Sequence, residues 1–294
     1  MPAKAVRGQS RQAMQTDADM SEPDASTFYG LEPTDDSMRW RMPVVRRLCS
    51  GIGALFGGCA LGASIAVLED VTGRPCVWAT AQYLEFARPG DVVELEVTEV
   101  VRGHATSQAR VLARVDGREI FTVVGAVGRR EPPWTAEWAV HPDVPRPDDT
   151  KPRDLLSRFN GTIAETLKMR IAVGREIDEL DGSPTSDGRS ALWVTLPFGD
   201  EATAAALAIV ADYVPFGVGQ ALGREISGNS IDNTLRMVQT ARTELVLADV
   251  RVQAVSKGFG HGVVHIWAED GTLLATASQS VIVRELNTGP EEKT

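Results

Sequence analysis

Cysteine is scarce in this chain. Only Cys49, Cys59 and Cys76 occur in 294 residues. An odd, widely spaced set excludes a disulfide framework, and no Cys-x-x-Cys pair exists. The four histidines are scattered, so neither a metal centre nor a metal or redox cofactor is expected. Basic residues are outnumbered, 30 Lys+Arg against 40 Asp+Glu for a net charge of −10, and no Lys/Arg-rich run is present. Nucleic acid is thereby excluded as the main partner, because phosphate neutralisation needs clustered cations. A small anionic ligand stays open, since a local site can be positive on an acidic protein. No apolar run of about 18 residues long enough to span a membrane is expected; the stretch 51–68 is interrupted by glycines and ends in Glu69-Asp70. Residues 1–25 lack the apolar core of a signal peptide and are rich in Gln, Ser and Asp. The expectation is a disordered tail over 1–26 and a cytoplasmic protein. No Gly-x-Ser-x-Gly elbow occurs, which excludes an α/β-hydrolase.

What is present is a long repeat. Residues 74–130 overlie 228–284 at a constant offset of 154, set by Asp116-Gly117 on Asp270-Gly271. Ala87-Arg88 then meets Ala241-Arg242, Thr122 meets Thr276 and Arg130 meets Arg284. A period this long implies two copies of one domain rather than a solenoid. The copies differ at two polar positions: Asp232 and Gln279 in the second stand where the first has Trp78 and Gly125.

Each copy reads as a small-residue-rich helix followed by an antiparallel meander. The helices are expected over 51–68 and 202–214. Strands are expected at 76–87, 92–102, 107–115 and 119–129, then near 159–173 and 191–197, and again at 229–236, 245–256, 261–268 and 272–284. Residues 92–102 alternate apolar Val93, Leu95 and Val97 with Glu94, Glu96 and Thr98, the pattern of a half-buried strand. Six prolines between 131 and 153 mark a stiff, extended linker. The expected organisation is a first domain at 27–130, the linker at 131–153, a second domain at 154–285 and a polar tail at 286–294. The fold class is α+β, a tandem (double) hot-dog in which each antiparallel sheet wraps around a central helix. Two such units pair as subunits of a dimer do, and their edge strands are compatible with a further homo-oligomer.

Several segments, taken in order, carry a family resemblance. They are Leu55-Phe56-Gly57-Gly58, Phe86-Ala87-Arg88-Pro89-Gly90-Asp91, the Pro-rich linker, Ala211-Asp212-Tyr213, Ser230-Ile231-Asp232-Asn233-Thr234, and Asp270-Gly271 with Ala275-Thr276-Ala277-Ser278-Gln279. Together they resemble acyl-CoA thioesterase II, the double hot-dog thioesterases, over roughly 27–285. The resemblance implies hydrolysis of acyl-CoA to free fatty acid and CoA, without a cofactor. In that family an Asp, a Thr or Ser, and a Gln of the second hot-dog are catalytic. The Asp and Gln motifs match Asp232 and Gln279. The hydroxyl position falls at Gln253 or Ala254, with Ser256 the nearest hydroxyl. Cys59 stands where the family has a glutamine after the two glycines.

The chemistry fits these residue types. Thioester hydrolysis needs an activated water and a place for the oxyanion. A carboxylate such as Asp232 can draw a proton from water, and a carboxamide such as Gln279 can hold that water by one donor and one acceptor. Gly57, Gly58 and Cys59 open a helix whose N-terminal amides can meet the oxyanion. Bland alternatives stand beside each reading: Asp232 as a strand-end cap, Gln279 as an outward strand residue, and Gly57-Gly58 as packing glycines. Gly258-Phe259-Gly260-His261-Gly262 reads as a turn between strands. Gly217-Val218-Gly219-Gln220 follows a helix, so it is no dinucleotide fingerprint. A non-catalytic acyl-CoA- or lipid-binding protein is the alternative function, supported by the missing hydroxyl. A hydratase would need a close Asp/His pair, and no histidine follows Asp232 before His261.

Overall fold

The computed structural model describes residues 24–131 and 133–286. The first half runs α1 (Ala25–Tyr29), β1 (Glu32–Pro33), β2 (Arg39–Pro43), α2 (Gly57–Thr72), β3 (Cys76–Tyr83), β4 (Val92–Arg102), β5 (Thr106–Val115) and β6 (Arg118–Gly128). The second runs α3 (Ile163–Thr166), β7 (Arg170–Val173), β8 (Arg189–Thr195), α4 (Ala204–Ala211), α5 (Val214–Leu222), β9 (Ile226–Met237), β10 (Leu245–Ser256), β11 (Phe259–Ala268) and β12 (Leu273–Glu285). All twelve strands form one sheet in the order β1-β2-β4-β5-β6-β3-β9-β12-β11-β10-β8-β7. The central pair, β3 and β9, is antiparallel, so each half supplies six consecutive strands.

The apolar pattern explains the curvature. In β4, Val93, Leu95 and Val97 are buried while Glu94 is exposed. In β5, Ala109, Val111 and Ala113 face the same core. That core is α2, buried without interruption from Gly58 to Leu68. A helix apolar on all sides has to sit inside a protein, and the first half-sheet wraps it. The second half-sheet wraps α4 and α5. This is the tandem hot-dog.

The repeat is a pseudo-twofold. Thr80 and Thr234, equivalent at the 154 offset, are register partners across β3 and β9, and their hydroxyls are 2.6 Å apart. Both copies also carry the same irregularity: the ladder skips Val77 in β3 and Ile231 in β9. The Asp116-Gly117 turn, with φ of 50° and 80°, has the doubly left-handed geometry for which Asp-Gly is suited.

Several expectations are corrected. Residues 24–26 are not tail, because Asp24 caps α1 by accepting from the Thr27 amide at 2.8 Å; residues 1–23 and 287–294 lie outside the described residues. Helix α2 spans 57–72 rather than 51–68, since the chain turns at Gly53 (φ 73°). The helix expected at 202–214 stops at Ala211 and resumes at Val214, where Pro215 opens a new first turn and cannot donate to the preceding one. Gly217–Gln220 therefore lies within α5. Of the strand expected near 159–173 only β7 forms, because Gly161 and Lys168 take positive φ. The stretch 204–222 is, by length and composition, apolar enough to cross a bilayer, contrary to the expectation that no such run exists; here it is the core helix pair. The linker is more than a spacer. Ala139 and Val144 pack on Trp193, Trp267 and Leu247 on the outer sheet face, and the Trp193 indole donates to the Pro145 carbonyl at 2.9 Å.

Candidate active site

Asp212 is the only charged residue between Ala202 and Gly223. It sits at the break between α4 and α5, 3 % exposed. Three groups converge on it. Gln279 of β12 donates through Nε2 to Oδ1. Ser230 Oγ of β9 lies 3.3 Å from the same oxygen and accepts from Gln279 Nε2 at 2.7 Å. From the first domain, the amide of Gly58 donates to Oδ2 at 2.6 Å. Burial pushes the Asp212 carboxyl up to about 7, and the bonds from Gln279, Gly58 and Ser230 partly offset that rise.

The backbone places these groups. At the skip past Ile231, Ser230 pairs with Val281 and Asp232 with Ser280. A bulge reverses the phase of a strand's faces. Ser230 therefore turns inward beside Gln279, while Asp232 turns to the outer face. The first-copy counterparts of Ser230 and Gln279 at the 154 offset are Cys76 and Gly125, so the polar pair exists in one copy only.

The start of α2 is packed as tightly as glycine allows. A Cβ on Gly57 would lie 2.7 Å from Asp212 Oδ2. One on Gly58 would lie 2.7 Å from Ile209 Cα and 2.8 Å from the Ala208 carbonyl. The Tyr83 hydroxyl donates to the Gly57 carbonyl at 2.7 Å and fixes the helix end from the β3 side. Gly57, Asp212 and Ser230 open onto a cavity of about 810 Å³ between the two domains. Its walls are largely apolar, with Leu55, Phe86 and Phe121 from the first domain and Ile177, Phe216 and Ile282 from the second.

The expected site residues fare unequally. Gln279 and Gly58 meet at Asp212, and Gly57 adjoins it. Asp232 does not join them: its Oδ1 accepts from the Ser280 amide at 2.9 Å. Gln253 is exposed on β10, in the skip between Val252 and Ala254, and its amide reaches only the Arg251 carbonyl at 3.4 Å. Cys59 is fully buried and burial holds it as a neutral thiol; it does not line the cavity. The Gly58 amide, expected to meet an oxyanion, is engaged by Asp212. Neither Asp212 as a candidate carboxylate nor Ser230 as a candidate hydroxyl was singled out from the sequence. For Asp212 a signal existed, since a lone carboxylate in a run of twenty apolar and small residues is a rare and costly placement. For Ser230 strict alternation misleads, because it puts 230 and 232 on one face.

A tandem hot-dog with a buried carboxylate, carboxamide and hydroxyl at an interdomain cavity defines the class of the protein. Two family models match the chain: the acyl-CoA thioesterase N-terminal domain over residues 46–128 and the acyl-CoA thioesterase C-terminal domain over 139–283. The chain belongs to the acyl-CoA thioesterase family and is a thioester hydrolase. Among solved structures it is similar to a predicted thioesterase from Novosphingobium aromaticivorans, at 32% identity and TM-score 0.76, covering 86% of this chain and 98% of that one. It is similar in fold to a hot-dog protein of unknown function from Alicyclobacillus acidocaldarius, at 21% identity and TM-score 0.73, covering 89% and 98%. It is likewise similar in fold to acyl-CoA thioesterase II TesB2 from Mycobacterium marinum, at 19% identity and TM-score 0.69, covering 90% and 99%. No curated protein matches the chain by sequence.

Proposed function

We propose that the protein hydrolyses acyl-CoA to free fatty acid and CoA, with Asp212 as general base and Gln279 and Ser230 as its positioning partners. The observation that carries this reading is the convergence of Gln279, Ser230 and the Gly58 amide on one buried carboxylate facing the cavity. A carboxylate near its ordinary pKa is a weak base; one raised to about 7 is matched to proton abstraction near neutrality. Ionised Asp212 takes a proton from water as the water oxygen bonds to the thioester carbon. The C–S bond then breaks and the thiolate leaves with the electron pair, taking up a proton afterwards. The N-terminus of α2, where Gly57 lines the cavity, supplies a positive dipole end for the oxyanion. The ground for a non-catalytic binding protein was the missing hydroxyl. Ser230 provides one beside the carboxylate, which favours turnover.

Thiol release from a panel of short to long acyl-CoAs tests the reading; no release from any of them would end it. The base must be ionised, so kcat/KM is expected to rise with pH up to about 7 and level above it. A flat profile from pH 5 to 9 would remove Asp212 from the base role. Ser230→Ala is expected to lower kcat by about tenfold or more through loss of a positioning bond. Asp232→Asn and Gln253→Ala, which touch neither the cavity nor Asp212, are expected to stay within about twofold of the parent. Loss at Asp232 with retention at Ser230 would reverse the assignment.

A further inference from the structure

Four arginines line the cavity: Arg153, Arg158, Arg175 and Arg224. Three are engaged by the protein itself. Arg158 pairs with Glu225 and Arg224 with Glu285. Arg175 pairs with Asp181 and donates to the carbonyls of Ser183 and Gln220.

Arg153 differs. Its guanidinium sits over the Phe216 ring, 4.7 Å from the centroid. Its Nη1 reaches only the Met169 sulfur, at 3.9 Å. Among the described residues no carboxylate lies within 4.0 Å of it, unlike its three neighbours. The residue is only partly exposed; burial lowers its pKa, and Tyr213 and the Glu176 carboxylate, which forms no ion pair with it, act in the opposite sense. A cation withdrawn from water without an ion pair is costly. Phe216 lies one helical turn beyond Asp212 at the start of α5, so this cation stands on the wall that carries the proposed base. Other cations are close. Burial lowers the Arg158 pKa, and the nearby Arg153 charge lowers it further. Arg46 of the first domain donates to the Arg158 carbonyl at 2.8 Å. Arg153, Arg158 and Arg46 thus lie near one another on a chain of net charge −10, with Glu225 paired to Arg158.

We propose that Arg153, flanked by Arg158 and Arg46, is an anion subsite that binds an anionic group carried by the thioester substrate. The planar guanidinium fork suits phosphate and carboxylate oxygens alike. The anion is either a phosphate of the thiol half or a carboxylate at the far end of the acyl half. The inference rests on the thioesterase reading above.

The test compares the parent enzyme with Arg153→Met, which keeps the apolar stem, and Arg153→Lys, on hexanoyl-CoA, hexanoyl-N-acetylcysteamine and adipoyl-CoA. Losing a charge-assisted contact is expected to lower kcat/KM by about tenfold or more, mainly through KM. Lysine is expected to restore part of it. A loss on hexanoyl-CoA that is absent on hexanoyl-N-acetylcysteamine, which has no phosphate, supports the subsite and assigns it to the thiol half. A loss on adipoyl-CoA that is absent on hexanoyl-CoA supports it and assigns it to the acyl half. Equal losses on all three, or no loss on any, overturn the subsite. Calorimetric titration of both proteins with CoA and with adipate needs no turnover. If the parent releases no thiol at all, the thioesterase reading fails. The subsite then stands on weaker binding of either titrant to Arg153→Met and falls if both bind equally.

Discussion

Asp212→Asn is expected to lower kcat by about 10²- to 10⁴-fold, the range that a general base contributes, while leaving the protein folded. The substitution is nearly isosteric. Gln279 can accommodate it by turning its carboxamide, because its Oε1 is buried and has no partner among the described residues and can accept from the new amide. Steady-state thiol release and a thermal unfolding scan on the same preparation check both halves. Turnover within a few-fold of the parent would remove Asp212 from the mechanism. The stability half carries its own signature. Asp212 holds its proton more tightly folded, at about 7, than at the ordinary carboxylate value of 3.8. Stability from this group is therefore fully present below 3.8, is lost as pH rises between 3.8 and about 7, and is level above. That interval corresponds to on the order of 4 kcal/mol, discharged when a buried carboxylate ionises. The Asn variant carries no such charge. Its melting temperature is expected to rise above that of the parent as pH increases from 4 to 7, with the gap constant beyond. An equal gap at pH 4 and pH 8 would show that ionisation of Asp212 is not the cause.

The second large effect is expected from Gly58→Ala. The new methyl would meet the backbone of α4 at Ile209 Cα and the Ala208 carbonyl, and neither is the end of a flexible side chain that can move aside. Overpacking of this kind costs about 1–3 kcal/mol, occasionally more. The two central helices must separate, which draws the Gly58 amide away from Asp212 Oδ2. A drop in melting temperature together with a loss of kcat is the expected result. Gly73→Ala is the control for glycine content alone. It too is strained, by its positive φ of 65°, but a Cβ there meets nothing within 4 Å, so it is expected to cost stability and spare kcat. Loss of activity at both positions in proportion to stability would mean that the helix contact has no special link to the site.

Much of the architecture was legible because it rests on local pattern. Strand β4 begins and ends where alternation puts it, at 92–102, since one buried face fixes both period and length, and strand β10 falls on its expected bounds, 245–256. The repeat offset of 154 survives as a physical pairing, Thr80 against Thr234. The late glutamine and the glycine pair were likewise legible, and they do meet at one carboxylate.

Which carboxylate was not legible from local pattern. Asp232 lies in a strand-like motif, and Asp212 in a helix that reads as plain core. The sequence by itself determined two wrapped helices, a paired meander and a chain with one half polar where the other is not. Only the tertiary structure decided that one extra residue, Ile231, reverses the faces of β9, turning Ser230 in and Asp232 out. It alone decided that a break between α4 and α5 presents Asp212 to the end of α2 from the other domain. Both outcomes depend on contacts between segments far apart in the chain, from Gly58 to Asp212 and from Ser230 to Gln279. A period of two or of 3.6 residues carries no information about such contacts.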